Sequence, residues 1–295
     1  MKLRHAADRT ARAVFFVNAL LASAVLIGIL VYLALYGVRL FAEVPPLRFL
    51  LGTVWNPDAY GEPSFGLVPL LVGSLVTTAL ALVIAVPLGI ASAVFISERL
   101  KGWLRVAVKT VVELFAGFPS VVLGFFGLIV LAPLIARTFN VPSGLGILNA
   151  GLLLAFMCLP TIISVSDDAL RVVPQSYREA AYALGATPWT TAIRVVLPAA
   201  RSGILAGCML GFGRAVGETM AVLMVAGNAP HVPRSLFDAA RTITTTIAIE
   251  LGETPFYTSH FYSLFALGLV LFLLSLGTNL LAESLIKRER RSFML

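Results

Sequence analysis

Long apolar runs separated by short basic and polar stretches set the pattern of this chain. Six runs are long enough to cross a bilayer, at about 13–36, 69–96, 111–135, 145–165, 203–227 and 261–285. A helix spans hydrocarbon with about 20 predominantly apolar residues. Lipid offers backbone groups no hydrogen-bond partners, so each run is predicted to be helical. The short alternating strands of a transmembrane barrel are missing from the pattern. The predicted fold class is therefore all-α, a bundle of six transmembrane helices. The first run, Ala13 to Leu35, follows a basic start as a signal peptide would. It is too long for a signal core and lacks a small-residue cleavage site, so it reads as a retained span.

Prolines and glycines punctuate the runs. Pro87, Pro119, Pro133 and Pro160 each remove a backbone donor and favour a kink or a helix end. Gly207 and Gly211 stand at G-x-x-x-G spacing, as do Gly213 and Gly217, which suits close packing against another helix, in this chain or a partner.

Composition agrees with the pattern. Of 295 residues, 59% are hydrophobic and 13% charged, against about 25% charged in soluble domains. Cys158 and Cys208 lie within apolar runs, which argues against a disulfide framework. His5, His231 and His260 are scattered and give no metal-ligand spacing. The net charge of +7 follows membrane topology rather than nucleic-acid binding. Four basic residues stand in each of four regions: Lys2, Arg4, Arg9 and Arg12; Arg99, Lys101, Arg105 and Lys109; Arg171, Arg178, Arg194 and Arg201; Lys287, Arg288, Arg290 and Arg291. The three opposite loops hold only Arg39, Arg48, Arg137, Arg234 and Arg241. The positive-inside rule then puts both termini in the cytoplasm. The expected division is a cytoplasmic tail 1–12, a first transmembrane helix 13–36, a five-helix core 69–285 with a cytoplasmic segment 174–198, and a cytoplasmic tail 286–295.

That cytoplasmic segment is the most informative stretch. Ser176 is placed to cap a helix, with Glu179 three residues on as in a capping box. Gly185 is placed to end the helix and Thr187-Pro188 to start another. Two short helices joined by a glycine turn make a knob suited to a partner's groove. An amphipathic connector lying on the membrane fits the same pattern.

Glu179, Ala180, Ala181, Gly185, Leu197 and Pro198 resemble the EAA motif of ABC importer permeases, with Val195 where that motif has Ile. The resemblance implies a type I, MetI-like bundle in the bacterial inner membrane. It makes these residues a coupling segment that docks on a separate ATPase, where ATP and Mg would bind. No G-x-x-x-x-G-K-[ST] phosphate loop occurs in this chain, which is read as a transport subunit rather than an enzyme. Gly213 to Val222, Gly227 to Pro230, Ser235 to Asp238 and Arg241 to Ile243 are similar to the PstC permeases of phosphate importers, with Ala239-Ala240 departing from an expected Pro-Gly pair. That similarity implies inorganic phosphate as substrate. It also implies a PstA-like sister permease, a PstB-like ATPase dimer and a PstS-like binding protein as partners, besides membrane lipid. Permeases for molybdate, sulfate or phosphonate share the docking motif, and an ATP-independent channel or carrier and a phosphate-sensing scaffold are the further alternatives.

Arg214 and Glu218 fall inside the fifth apolar run at i, i+4 spacing, which predicts one helix face and a mutual ion pair. Charges within a span are costly and face a protein interior or a water path. A guanidinium donates paired hydrogen bonds to an oxyanion, and a competing carboxylate keeps the anion from binding too tightly to leave. The family's counterparts are linked to transport, and a structural ion pair is the other reading. Glu113, Asp167 and Asp168 are expected near span ends as solvated or capping groups. Thr77, Thr78 and Ser120 offer hydroxyls that would line a path, but Ser and Thr also serve as helix-packing groups, so they carry no weight as sites. Thr242 to Leu251 is expected to form a short helix in the outer loop.

Overall fold

A computed structural model describes residues 2–59 and 61–292; side chains are described from residue 11, with Leu285, Ile286 and those from 288 onward left out. The basic tail side chains of Lys2, Arg4, Arg9, Arg288, Arg290 and Arg291 therefore lie outside the described residues. The architecture is helical throughout, apart from one two-residue hairpin, β1 (Trp55–Asn56) with β2 (Ser64–Phe65).

α1 (Lys2–Gly37) runs on into a 3-10 turn, Val38–Ala42, and the short α2 (Pro46–Leu51). The apolar stretch of α1 is exposed along most of its length and rests on the last helix through Tyr32, edge-on to Phe265, and Tyr36, tilted against the same ring. An exposed surface this apolar is stable in lipid, where it meets hydrocarbon instead of water.

α3 (Val68–Glu98) is a continuous apolar helix that carries Pro87 inside it. α4 (Gly102–Ala116) is amphipathic and buries no residue fully. The expected third span, 111–135, is shifted. Gly117 to Pro119 interrupt the helix, and the span-length segment is Ser120–Phe139. The cause is local: Pro119 has no N–H and pushes Phe118 out of helical geometry. The segment comprises α5 (Ser120–Phe126), a π-helical turn Gly127–Leu131, and α6 (Ala132–Phe139).

α7 (Ile147–Val172) is the central helix, continuing through Pro160 and one to two turns past its expected end. It packs on α3 and on α11 (Arg201–Gly217), and glycine makes that closeness possible. A Cβ at Gly89 would lie 2.7 Å from Ile162 Cγ2, and one at Gly211 2.8 Å from Ile162 Cγ1. Ile162 is thus wedged between two glycines. The Gly207/Gly211 spacing serves packing within this chain, whereas among the described residues a Cβ at Gly213 or Gly217 would meet nothing within 4 Å.

Between α7 and α11 lie α8 (Gln175–Ala183), α9 (Pro188–Thr191), a π-helical turn Ala192–Val196, and α10 (Leu197–Ala199). The stretch from Pro188 to Ala199 meets α11 at 72°. Among the described residues five helices are long and apolar enough to cross a membrane, or six if this bent pair makes one span. The expected fifth span, 203–227, is not one helix. It breaks at Glu218 and Thr219 before α12 (Met220–Val225). The outer-loop helix forms as α13 (Ile243–Glu250), capped by a Thr242–Thr245 capping box, and α14 (Ser259–Ser292) closes the bundle.

At the end of the bundle away from α8, Glu250 gathers three donors. Trp55 Nε1 donates to both its oxygens (3.1 and 3.2 Å), Arg241 donates at 2.7 Å, and the His260 ring stands 2.9 Å away. One carboxylate so ties the hairpin, the 228–242 loop, α13 and α14 together.

Candidate functional site

Arg214 and Glu218 are held by a helix break, not by each other. Arg214 occupies the last turn of α11, where the helix's carbonyl end favours a cation. Glu218 follows with extended backbone (φ −71°, ψ 123°), and its Oε1 accepts the Ala221 N–H at 3.2 Å at the start of α12. Amides in a first turn have no intrahelical partner, so a carboxylate there is stabilised. The expected i, i+4 ion pair is therefore not formed, because leaving the helix after Gly217 carries Glu218 off the Arg214 face.

Arg214 donates to Thr161 Oγ1 at 3.4 Å and to the Ala116 carbonyl at 3.3 Å, so it touches α7 and the end of α4. Both contacts are long and both acceptors are neutral. A charged oxyanion accepts from guanidinium more strongly and at shorter range.

On the other side, Glu218 borders a small cavity with Ser74, Thr77, Thr78, Thr242 and Thr244. Thr244 Oγ1 donates to the Glu218 carbonyl at 3.3 Å, and Ser74 accepts the Ile243 N–H at 3.0 Å. These hydroxyls come from α3 and from the N-terminal end of α13, with Thr242 as its N-cap and Thr244 in its first turn. Sequence reasoning gave Thr77 and Thr78 no weight and passed over Thr242 and Thr244. The run of four threonines within 242–246 is the sequence signal for this cluster, although Thr242 and Thr245 also cap α13.

Asp167 and Asp168 are not loop residues. They sit inside α7, and Asp167 is 1% exposed. Arg105 grips Asp167 with two hydrogen bonds of 2.8 and 2.7 Å, and Lys109 approaches it at 3.2 Å. Lys109 also bonds Asp168. Burial pulls the Lys109 ammonium's pKa down, but hydrogen bonds to Asp168 and Asp167 and their charges carry it above the ordinary lysine value. Asp167→Ala leaves Arg105 without its buried partner. It is expected to cost about 3–5 kcal/mol, as breaking a buried pair does. Heating the detergent-solubilised chain and following the soluble fraction measures it; an unchanged melting point refutes the anchor.

The docking residues form a projecting turn. α8 starts two residues earlier than expected, with Pro174 as its N-cap and no side-chain cap, so the Ser176/Glu179 capping box is absent. The proline fixes the entry angle, and Ser176 is then already inside the helix. The far end is as expected. Gly185 takes φ +79°, its N–H bonds to the Tyr182 carbonyl (2.9 Å) and the Ala186 N–H to the Ala181 carbonyl (3.0 Å). This is a Schellman turn, for which glycine's freedom at positive φ is required. Thr187 caps the next helix by accepting the Thr190 N–H at 3.2 Å, with Pro188 behind it. Glu179, Ala180, Gly185 and Pro198 are exposed, Leu197 is half-buried, and Ala181 is buried against the bundle. Leu184 stands 90% exposed at the tip.

Arg178, which sequence reasoning used only as a topology marker, anchors this turn. It donates to Glu98 at 2.7 Å and to the Val173 and Leu170 carbonyls at 2.9 and 3.0 Å. The turn is thereby fixed to the ends of α3 and α7.

Residues 85–291 match the family described as binding-protein-dependent transport system inner membrane component. The chain is 40% identical over 274 residues to the probable ABC transporter permease protein YqgH of Bacillus subtilis, covering 92% of this chain and 88% of that one. It is 40% identical over 261 residues to the phosphate transport system permease protein PstC of Mesorhizobium japonicum, covering 81% and 78%. A bacterial alginate ABC transporter crystallised with an alginate-bound periplasmic protein shares the fold, with a TM-score of 0.63 at 17% identity over 94% of this chain and 95% of the other. The chain belongs to the family of binding-protein-dependent transport system inner membrane components and is a multi-pass ABC transporter permease.

Proposed function

We propose that this chain is one of two permeases forming the translocation path of an ATP-driven importer of inorganic phosphate. The observation that carries the reading is Arg214: a half-buried guanidinium at a helix break, held only by long contacts to neutral oxygens among the described residues. Such a group can exchange its partners for an oxyanion without first breaking an ion pair. Glu218, across the break, opposes tight anion binding and lets the anion leave. The PstC relatives favour phosphate as that anion.

Both termini and the α8–α10 segment face the cytoplasm in this reading, supported by the distribution of basic residues. Glu179, Ala180, Ala181, Gly185, Leu197 and Pro198 belong to the surface that receives an ATPase dimer of the PstB kind, which binds ATP and Mg. The opposite end, braced by Glu250, receives a PstS-like phosphate-binding protein, and a PstA-like sister permease completes the path.

The assembled complex in proteoliposomes is the test. ATP-dependent phosphate uptake is expected to fall when unlabelled phosphate competes and to persist under equal molybdate, sulfate or phosphonate. Uptake displaced by one of those anions and not by phosphate overturns the substrate assignment. Uptake without ATP overturns the importer.

A further inference from the structure

Arg214 lies at the head of a polar strip that continues toward α8. On α7, Thr161, Ser164 and Asp168 are spaced by three and four residues and so share one face. On α4, Lys109 and Glu113 are four apart and likewise share a face. The two faces meet. Ser164 Oγ donates to Glu113 Oε1 at 3.3 Å, and Lys109 bonds Asp168. Arg214 closes the upper end by touching Thr161 on α7 and the Ala116 carbonyl of α4. From Thr161 to Asp168 the strip runs about 10 Å along α7 at the usual helical rise.

Nothing in helix packing requires this. Thr161 and Ser164 alone could serve packing by hydrogen-bonding across helices, but a lysine and two exposed carboxylates on the same faces exceed that need. Nor is the strip sealed. Glu113 and Asp168 are 53% and 63% exposed, whereas Asp167 on the neighbouring face is buried and spent on Arg105.

We infer that this strip is the inner half of the anion path, with Lys109 a second cationic station that takes the oxyanion from Arg214. The inference rests on the reading of the chain as a phosphate permease. Lys109 has carboxylates at 3.2 Å (Asp167) and 3.9 Å (Glu113), besides its bond to Asp168. Glu113 is the most distant of the three and is exposed, so it yields first to an arriving anion. The remaining carboxylates keep the anion's stay short. Arg214 differs in having, among the described residues, only neutral acceptors in contact, so it takes the anion first and Lys109 second.

The test uses the complete complex in proteoliposomes. Lys109→Gln is expected to slow ATP-dependent phosphate uptake roughly tenfold, as loss of one charge-assisted hydrogen bond would, while Lys109→Arg keeps most of it. Because Lys109 also pairs with Asp167, the melting point of each complex is followed beside uptake, and a loss of uptake that only tracks a loss of stability overturns the strip; a second arm isolates the charge. Lys109→Cys, in a chain with Cys158→Ala and Cys208→Ala, is treated with aminoethyl methanethiosulfonate, which restores a positive charge, or with neutral methyl methanethiosulfonate. Recovery of uptake with the first reagent alone supports the strip. Full uptake by Lys109→Gln, or a loss that neither arginine nor the aminoethyl group repairs, overturns it. A wild-type complex that imports a different oxyanion moves the failure to the substrate assignment, and the same variants then test the strip with that anion.

Discussion

Arg214→Ala is expected to lower ATP-driven phosphate uptake by roughly tenfold to a hundredfold, the loss of a charged donor to an anion in a low-dielectric setting. The guanidinium has no carboxylate within ion-pair distance among the described residues, so its removal strands no opposite charge. Its structural contacts are one hydroxyl and one carbonyl, both at the long end of hydrogen bonding, so the chain is expected to fold and reach the membrane. Lysine at this position keeps the charge but loses the planar fork, and an intermediate rate is expected. Uptake at matched membrane levels, with recruitment of the ATPase verified, is the measurement. Wild-type uptake by Arg214→Ala would remove Arg214 from the path and leave a helix-end cation with a packing role only.

Leu184→Glu is expected to release the ATPase. Leu184 is 90% exposed, immediately before the positive-φ glycine, at the point farthest along the α8 turn. Two Schellman hydrogen bonds and the Arg178–Glu98 pair hold the turn rigid, so the leucine is presented without an ordering cost at the moment of binding. Apolar anchors of this kind commonly contribute about 2 kcal/mol or more, and a carboxylate in their place must be desolvated. Affinity for the ATPase should fall at least roughly thirtyfold. Co-purification of the ATPase with the solubilised permease pair reads it directly. Undiminished recovery of ATPase with Leu184→Glu would mean that the tip lies outside the interface.

Much of the site was legible in the sequence because it rests on local rules. Gly185 and Thr187-Pro188 end and start helices by chain-local geometry, and both behave as their residue types demand. The capping box at Ser176 failed for a local reason too. Pro174 sets the helix start two residues before the expected one, which leaves Ser176 inside the helix where it cannot cap. The third span moved because Gly117 to Pro119 interrupt an apolar run that hydropathy alone treats as continuous.

Other features required the fold. Asp167 and Arg105 are separated by 62 residues, and only the packing of α4 on α7 brings them together. The Arg178–Glu98 bond closes over 80 residues, and the hydroxyls around Glu218 come from α3 and the α13 region. No periodicity within one helix encodes such meetings.

The sequence alone determined that this chain is a bundle of apolar helices carrying a basic, turn-forming segment, because helix formation in lipid and glycine or proline turns depend on neighbours along the chain. Tertiary structure decided what the charges do. It broke the helix between Arg214 and Glu218, buried Asp167 against Arg105, and aligned the polar faces of α4 and α7. Electrostatic partners are chosen by distance in space, and the order of residues does not contain that distance.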